Sequence, residues 1–321
     1  MPKESIQQFH EEFLKSEELK QKVRTITTYR EMIKLGENYG YYFTEEDIAE
    51  ANATYQDDQK VSLNNISINS DENSNQVYHY DFKCSDIANF DKIALEFEKL
   101  KIKPSTVDMN EFEKYFQNDD LNFTSISPSS LEFKSYYDDI IKSDMRKKAL
   151  EPFPEYTKRS FHLINLDLHV EHQLYEDYFL SKFRIIQFLE NLFDTEVKFS
   201  GSLWYPPNSY RLWHTNETQP GWRMYWIDFD AFESDKPEKS FFRYMNPQTK
   251  ELVTLDEEPK IVRFFKVENN SDKLFWHCIA NPTQFNRWSF GFLIPDNWMQ
   301  KLLTRSEDNS KKVGNEWAYK N

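Results

Sequence analysis

Apolar residues recur at three- and four-residue steps at the start of the chain: Ile6, Phe9 and Phe13, then Leu19, Val23 and Ile26. This spacing lines one face of a helix, and it predicts three or four short helices before about residue 50. Ser5 with Gln8, Thr28 with Glu31, and Thr44 with Asp47 each have the spacing of a capping box, where a hydroxyl and a side chain three residues on satisfy free amides at a helix start. Gly40 stands where a left-handed residue would stop the helix containing Ile33. Residues 52–75 are mostly Asn, Asp, Ser and Gln, the composition of a linker or long surface loop.

Helical spacing resumes over Phe90–Leu100 and Met109–Phe116. A Ser127-Pro128 turn then precedes a helix expected from Leu131 to Leu150. Between Arg159 and Val170 apolar residues alternate (Phe161 with Leu163, Leu166 with Leu168), which suggests a strand, whereas Tyr175–Phe193 reads as a helix able to cover a sheet. Beyond it the period is two. Short runs at Val197–Trp204, Tyr210–Trp213, Arg223–Phe229, Ser240–Tyr244, Ile261–Val267, Leu274–Ile279 and Arg287–Leu293 are separated by turn residues such as Pro206-Pro207-Asn208, Asn246-Pro247 and Asn281-Pro282. Strands punctuated in this way close most economically as a jelly roll.

Composition sharpens the division. All eight Trp lie between Trp204 and Trp317, and no Gly occurs between Gly40 and Gly201. Scarce Gly permits long helices, and aromatic residues in short runs favour strands. The expected fold is therefore α+β: a helical N-terminal region followed by a double-stranded β-helix of the jelly-roll or cupin-like kind. The expected divisions are a helical domain over 1–54, a linker and helical region over 55–150, the β domain over 151–298 and a tail over 299–321.

A net charge of −14 and no long run of Lys and Arg exclude nucleic acid as a partner. Cys84 and Cys278 are too few for a disulfide framework, and no window approaches a membrane span or an apolar signal core, so a cytoplasmic protein is expected, with no membrane partner.

The candidate chemistry lies in the strand-rich part. His214-Thr215-Asn216 is followed by His277 sixty-three residues on, and Arg287-Trp288-Ser289 begins ten residues after that. Alternation places His277 with Phe275 and Ile279 on one face, and Arg287 with Ser289 and Gly291 on one face of the next strand. A hairpin through Asn281-Pro282 points both faces into one interior. An Arg there must be paired, because an isolated buried charge is costly. Glu217 is turned away from the face shared by His214 and Asn216. Tyr205, Arg211 and Tyr225 flank the motif and are candidates to hydrogen-bond a cosubstrate or substrate, although core aromatic and surface cation remain equally good readings; Arg243 is a candidate for an anionic substrate group. His169 and His172 are three apart and lack a convincing third ligand.

Two resemblances bear on function. Residues 1–52, with the run Gly40-Tyr41-Tyr42-Phe43-Thr44-Glu45-Glu46, resemble the cyanobacterial leader-peptide family first noted beside nitrogen-fixation genes. It implies a segment that recognises a peptide or protein partner, or the leader of a natural-product precursor. Residues 159–296, through WYPPNSYRLWHTN, GWRMYWI, SFFRY, LFWHCI and NRWSFGF, resemble the 2-oxoglutarate and iron(II)-dependent dioxygenases, near the prolyl-hydroxylase-like members of cyanobacteria and marine phages.

That second resemblance implies Fe(II), 2-oxoglutarate and O2, with iron held by His214, His277 and the position of Asn216. Arg287 and Ser289 would anchor the cosubstrate, with Tyr225 and Tyr205 beside it. The implied reaction hydroxylates an unactivated carbon of a peptide, amino acid or natural product while 2-oxoglutarate is decarboxylated to succinate. Asn216 stands where a carboxylate is usual. Three readings are open: a working site using two histidines with Asn216 or water, a halogenase-like site with chloride in the third position, and a non-catalytic peptide-binding or scaffold protein.

Overall fold

A computed structural model describes residues 2–44, 77–87, 90–148, 154–169, 175–233 and 236–302. Asp47 of the third expected capping box, the 52–75 segment, His172 and most of the 299–321 tail lie outside these residues.

Among the described residues three N-terminal helices form as the apolar stripe requires: α1 (Pro2–Lys15), α2 (Glu17–Arg24) and α3 (Tyr29–Asn38). Phe9, Phe13, Leu19, Val23 and Ile26 are buried together. Thr28 and Glu31 make the expected reciprocal capping box, and Ser16 caps α2 through Leu19 N–H. Ser5 does not cap a helix. It lies inside α1, and its hydroxyl accepts from Tyr42 N–H. Gly40 has φ +83°, the left-handed stop expected of it.

The rest of the chain builds two antiparallel sheets with helices outside each. Strand β1 (His79–Lys83) precedes helices α4 (Asp91–Leu100), α5 (Met109–Lys114), α6 (Asn118–Phe123) and α7 (Leu131–Lys148). Short strands β2 (Phe161–His162) and β3 (Ile164–Asn165) lead to helix α8 (Tyr175–Phe193). Eight strands follow: β4 (Lys198–Tyr205), β5 (Ser209–His214), β6 (Gly221–Phe229), β7 (Phe241–Met245), β8 (Leu252–Asp256), β9 (Ile261–Val267), β10 (His277–Asn281) and β11 (Arg287–Ile294). The six-stranded sheet has the order β1-β9-β6-β11-β4-β3, and the five-stranded sheet β2-β5-β10-β7-β8.

Alternation explains the layering. Along most of each strand every second residue points to the space between the sheets, where Leu203, Phe242, Phe265, Phe275 and Ile279 form one cluster; a bulge in β5 between Arg211 and His214 breaks the alternation and turns both Leu212 and Trp213 outward. The outward residues of the larger sheet pack under α4 and α8, and the N-terminal helices join that same core. The outward residues of the smaller sheet (Leu212, Trp213, Cys278) meet Phe123, Phe133 and Ile140 of α6 and α7. Strand β8 was not anticipated from the sequence, and β10 begins at His277 rather than Leu274.

Phe97 of α4 is fully buried and stacks on Trp226 at 4.3 Å, with Phe90, Phe290 and Phe292 around it. Deleting such a ring leaves a void that rigid sheet residues do not fill, so Phe97→Ala is expected to cost about 3–5 kcal/mol in urea unfolding. A loss below about 1 kcal/mol would contradict this packing.

Candidate functional site

His214 ends β5 and His277 opens β10, and the two are cross-strand partners. Their rings lie 4.0 Å apart between centroids. Each is oriented in the same way: Nδ1 of His214 lies 2.7 Å from Leu212 O, and Nδ1 of His277 lies 2.9 Å from Phe275 O. A carbonyl accepts only, so Nδ1 carries the proton and donates, which leaves each Nε2 unprotonated, with a lone pair able to accept a hydrogen bond or bind a metal. Nε2 of His214 is buried with no partner. Burial, reinforced by nearby Arg211, holds His214 well below its ordinary range, and burial takes His277 down to about 3. Both imidazoles are therefore neutral, which is the protonation state of a metal ligand.

Asn216 sits just past β5 in left-handed backbone, φ 55°, a conformation Asn tolerates. Its Oδ1 accepts from Arg211 Nη2 at 3.1 Å, and its Nδ2 faces His277 Nε2 at 3.3 Å. Turning the amide over would set its NH2 against the Arg211 donor, so Arg211 fixes the nitrogen end toward the histidines. Among the described residues no group of three His, Cys, Asp or Glu side chains stands together for a metal. Two imidazoles thus fit a transition metal as neutral nitrogen ligands, with the amide oxygen directed elsewhere.

Arg287 and Ser289 lie on β11 and line one cavity with His277, as alternation requires. Arg287 nevertheless has a protein partner. Its Nε and Nη2 donate to the two oxygens of Glu257 at 2.6 and 2.8 Å. Glu257 also accepts from Arg263 Nη1 at 2.9 Å and from Ser240, and Arg263 in turn grips Asp81. Burial would raise the Glu257 carboxyl, but the Arg287 and Arg263 charges hold it below its usual value. Only Nη1 of Arg287 is left buried and unbonded.

Tyr205 lies beneath the Arg287 guanidinium, 4.5 Å from ring centroid to Cζ, and burial pushes its hydroxyl up to about 12. Tyr225 stacks on Phe265 and comes so close to Gly291 that an added Cβ there would lie 2.6 Å from its ring. Glycine at 291 is what lets the Tyr225 ring lie flat against β11. The cavity holds about 20 Å³, room for a water and far below the few hundred Å³ typical of a ligand pocket.

Arg211 also lines this cavity, and Arg223 on the inward side of β6 is buried with one bond, to Gln219 O. Both were missed or weighed lightly in the sequence; the alternation of Arg223 with Tyr225 and Ile227 was the available signal. Glu257 was missed altogether. Arg243 lies on the outer face, bonded to Thr254, Thr124 O and Ser125, and Glu217 is exposed. His169 packs near Tyr156, away from the motif.

Comparison with known proteins adds the following. Residues 1–48 match the Nif11 domain, in agreement with the leader-peptide resemblance. No curated protein matches the chain. Solved structures similar to it include a prolyl-4-hydroxylase of Pseudomonas putida, at 10% identity and TM-score 0.25 over 31% of this chain and 52% of that one. The match thus spans about half the length of that protein. A rice dioxygenase for auxin oxidation has 12% identity and TM-score 0.27 over 54% and 72%. A Trichoplax adhaerens prolyl hydroxylase, solved with a peptide fragment of hypoxia inducible factor, has 9% identity and TM-score 0.27 over 64% and 98%. Among the described residues no helix is long and apolar enough to cross a membrane.

Two outcomes follow for the protein without metal. Replacing Glu257 by Gln leaves Arg263 and Arg287 facing a neutral group in the interior, and stability in denaturant titration is expected to fall by about 3–5 kcal/mol. In the unfolded chain His277 takes up a proton near its ordinary 6.5, and in the folded protein only near 3. Between these values the unfolded state binds more protons, so stability falls as pH is lowered from 6.5 toward 3. His277→Gln is expected to reduce that slope, measured as the urea midpoint against pH.

Proposed function

We propose that the chain is a metal-dependent oxygenase of the 2-oxoglutarate and iron(II) kind, hydroxylating a carbon of a peptide or small molecule. The observation that carries this reading is the histidine pair: two neutral imidazoles, each tied through Nδ1 to a backbone carbonyl, with Nε2 of His214 buried and unbonded and Nε2 of His277 bonded only to the Asn216 amide, which a metal would displace. Tying the far nitrogen of a metal-binding imidazole in this way sets its tautomer and aim before the ion arrives. The strand order supports the reading, since β4 to β11 pass between the two sheets in the sequence of a double-stranded β-helix, with the pair on neighbouring strands at one end.

His214 and His277 would hold iron, and iron with 2-oxoglutarate and O2 supplies the oxidising chemistry. The protein's own part is positional. The Leu212 and Phe275 carbonyls aim the imidazoles, and the Phe242, Phe265 and Phe275 rings pack around His277 and keep water from it. Arg211 holds the Asn216 amide across the open side of the pair. At Arg287, 2-oxoglutarate does not fit this arrangement, because Glu257 already occupies the guanidinium.

That same ion pair favours a second reading, in which the fold binds a partner without turnover and the Nif11 segment recruits a peptide. Full-length protein supplied with Fe(II), ascorbate and 2-oxoglutarate decides between them. Succinate formation abolished in His214→Ala and His277→Ala supports the oxygenase. Metal binding without succinate, over a range of peptide and amino-acid substrates, favours the binding protein, and absence of metal binding removes the first reading.

Asn216→Asp gives a sharper measure of the third position. It sets an anionic oxygen against Arg211 and the histidines, and Mn(II) affinity by calorimetry is expected to tighten by about tenfold or more, equivalent to 1.4 kcal/mol or above. Unchanged affinity would mean that position 216 does not reach the metal.

A further inference from the structure

Four guanidiniums point into the space between the sheets: Arg211, Arg263 and Arg287 line the cavity, and Arg223 shares the inward side of β6 with Tyr225 and Ile227. Two carboxylates answer them. Glu257 bonds Arg263 and Arg287, and Asp81 bonds Arg263 from the edge strand. Four positive and two negative charges leave a surplus of two, carried by Arg211 and Arg223. Among the described residues neither makes an ion pair. Arg223 is buried and bonds only the Gln219 carbonyl, while Arg211 bonds Asn216 and overlies the Phe161 ring. The two bracket one turn: Arg211 bonds Asn216, Arg223 bonds the Gln219 carbonyl, and Gln219 N–H donates to Asn216 O at 3.0 Å.

Burying guanidinium without a counter-charge is expensive, and a metal ion on the histidines would add to the same sign. Arg presents a planar fork that matches the two oxygens of a carboxylate. A ligand of opposite charge is what this part of the interior lacks. We propose that Arg211 and Arg223 form a carboxylate-binding site beside the His214–His277 pair, and that this site, rather than Arg287, receives the anionic group of the bound organic acid. Arg287 is a structural cation, engaged by Glu257. Arg211 and His214 are only partly buried, so the site opens toward solvent on the side of the Asn216 turn.

The inference deepens the oxygenase reading by naming where a carboxylate is held, and its binding test needs no turnover. Two sources have this chemistry, the cosubstrate and the substrate. Full-length protein loaded with Mn(II) is titrated by calorimetry with glutarate and with propionate at constant ionic strength. Both are expected to bind, and roughly tenfold more weakly in Arg211→Gln and in Arg223→Gln, the scale of one charged hydrogen-bond pair. Arg30→Gln on the exposed face of α3 serves as the control for a general change of charge. Competition by 2-oxoglutarate assigns the site to the cosubstrate; propionate binding undiminished by saturating 2-oxoglutarate assigns it to the substrate. Should a variant fail to fold, protection of Arg211 in the wild-type protein from phenylglyoxal by glutarate, read by peptide mass mapping, decides the matter. The proposal is overturned if neither acid binds at millimolar concentration, if both variants bind as the wild type does, or if glutarate gives Arg211 no protection. Carboxylate binding without succinate formation would retain this site and remove the oxygenase reading.

Discussion

Glu257 is the residue on which the interior depends. It lies at the end of β8 and holds Arg263 from β9 and Arg287 from β11, tying the five-stranded sheet to the six-stranded one by charge as well as by packing. In a low-dielectric space each of these groups alone would be driven out or neutralised, and together they are stable only while all the bonds are made. The aromatic cluster closes over them: Phe242 lies against the Arg263 guanidinium and Tyr205 against that of Arg287. The space left for a ligand is therefore what remains after this ion network and its aromatic cover are in place, and it lies toward Arg211 and the histidines.

Much of this fold was legible because short aromatic and β-branched runs bounded by turn residues mark strands even where both faces are buried. The runs from Arg223 to Phe229 and from Ile261 to Val267 correspond closely to β6 and β9, and the helix Tyr175–Phe193 matches its expected bounds. Strand β8 escaped because Leu252-Val253-Thr254-Leu255-Asp256 lies at a sheet edge between turn-like segments and carries polar residues on its outer side. Strand β1 escaped for a related reason, following a long polar stretch with only Tyr80 and Phe82 marking the face it turns to the helix-covered core.

The site was legible in part. Parity put His277, Arg287 and Ser289 on inward faces, and the structure brings them to one cavity. A buried Arg requires a partner, and Arg287 has one within the chain, Glu257. Glu257 sits in Asp256-Glu257-Glu258-Pro259, a stretch that reads as a solvated turn, and nothing local marks which of three acids turns inward. Long-range pairs of this kind have no signature in spacing, because the residues are joined by topology alone. Asn216 shows the converse: its amide is aimed by Arg211, only five residues earlier on β5, through a side-chain bond that strand periodicity does not mark.

The N-terminal helices are continuous with the rest of the protein. Phe13 stacks on Phe179 of α8, the backbone N–H of Phe199 donates to Thr27 O, and the buried residues of α1 to α3 belong to the core that covers the larger sheet. A leader designed for removal is a handle, severed when its task is done. Here severance would strip apolar surface from the body and leave α8 with an uncovered flank, so the Nif11 segment behaves as a fixed limb of the molecule. Any partner that it engages is thereby held at a constant distance from the chamber between the sheets, as a tool is held by a jig.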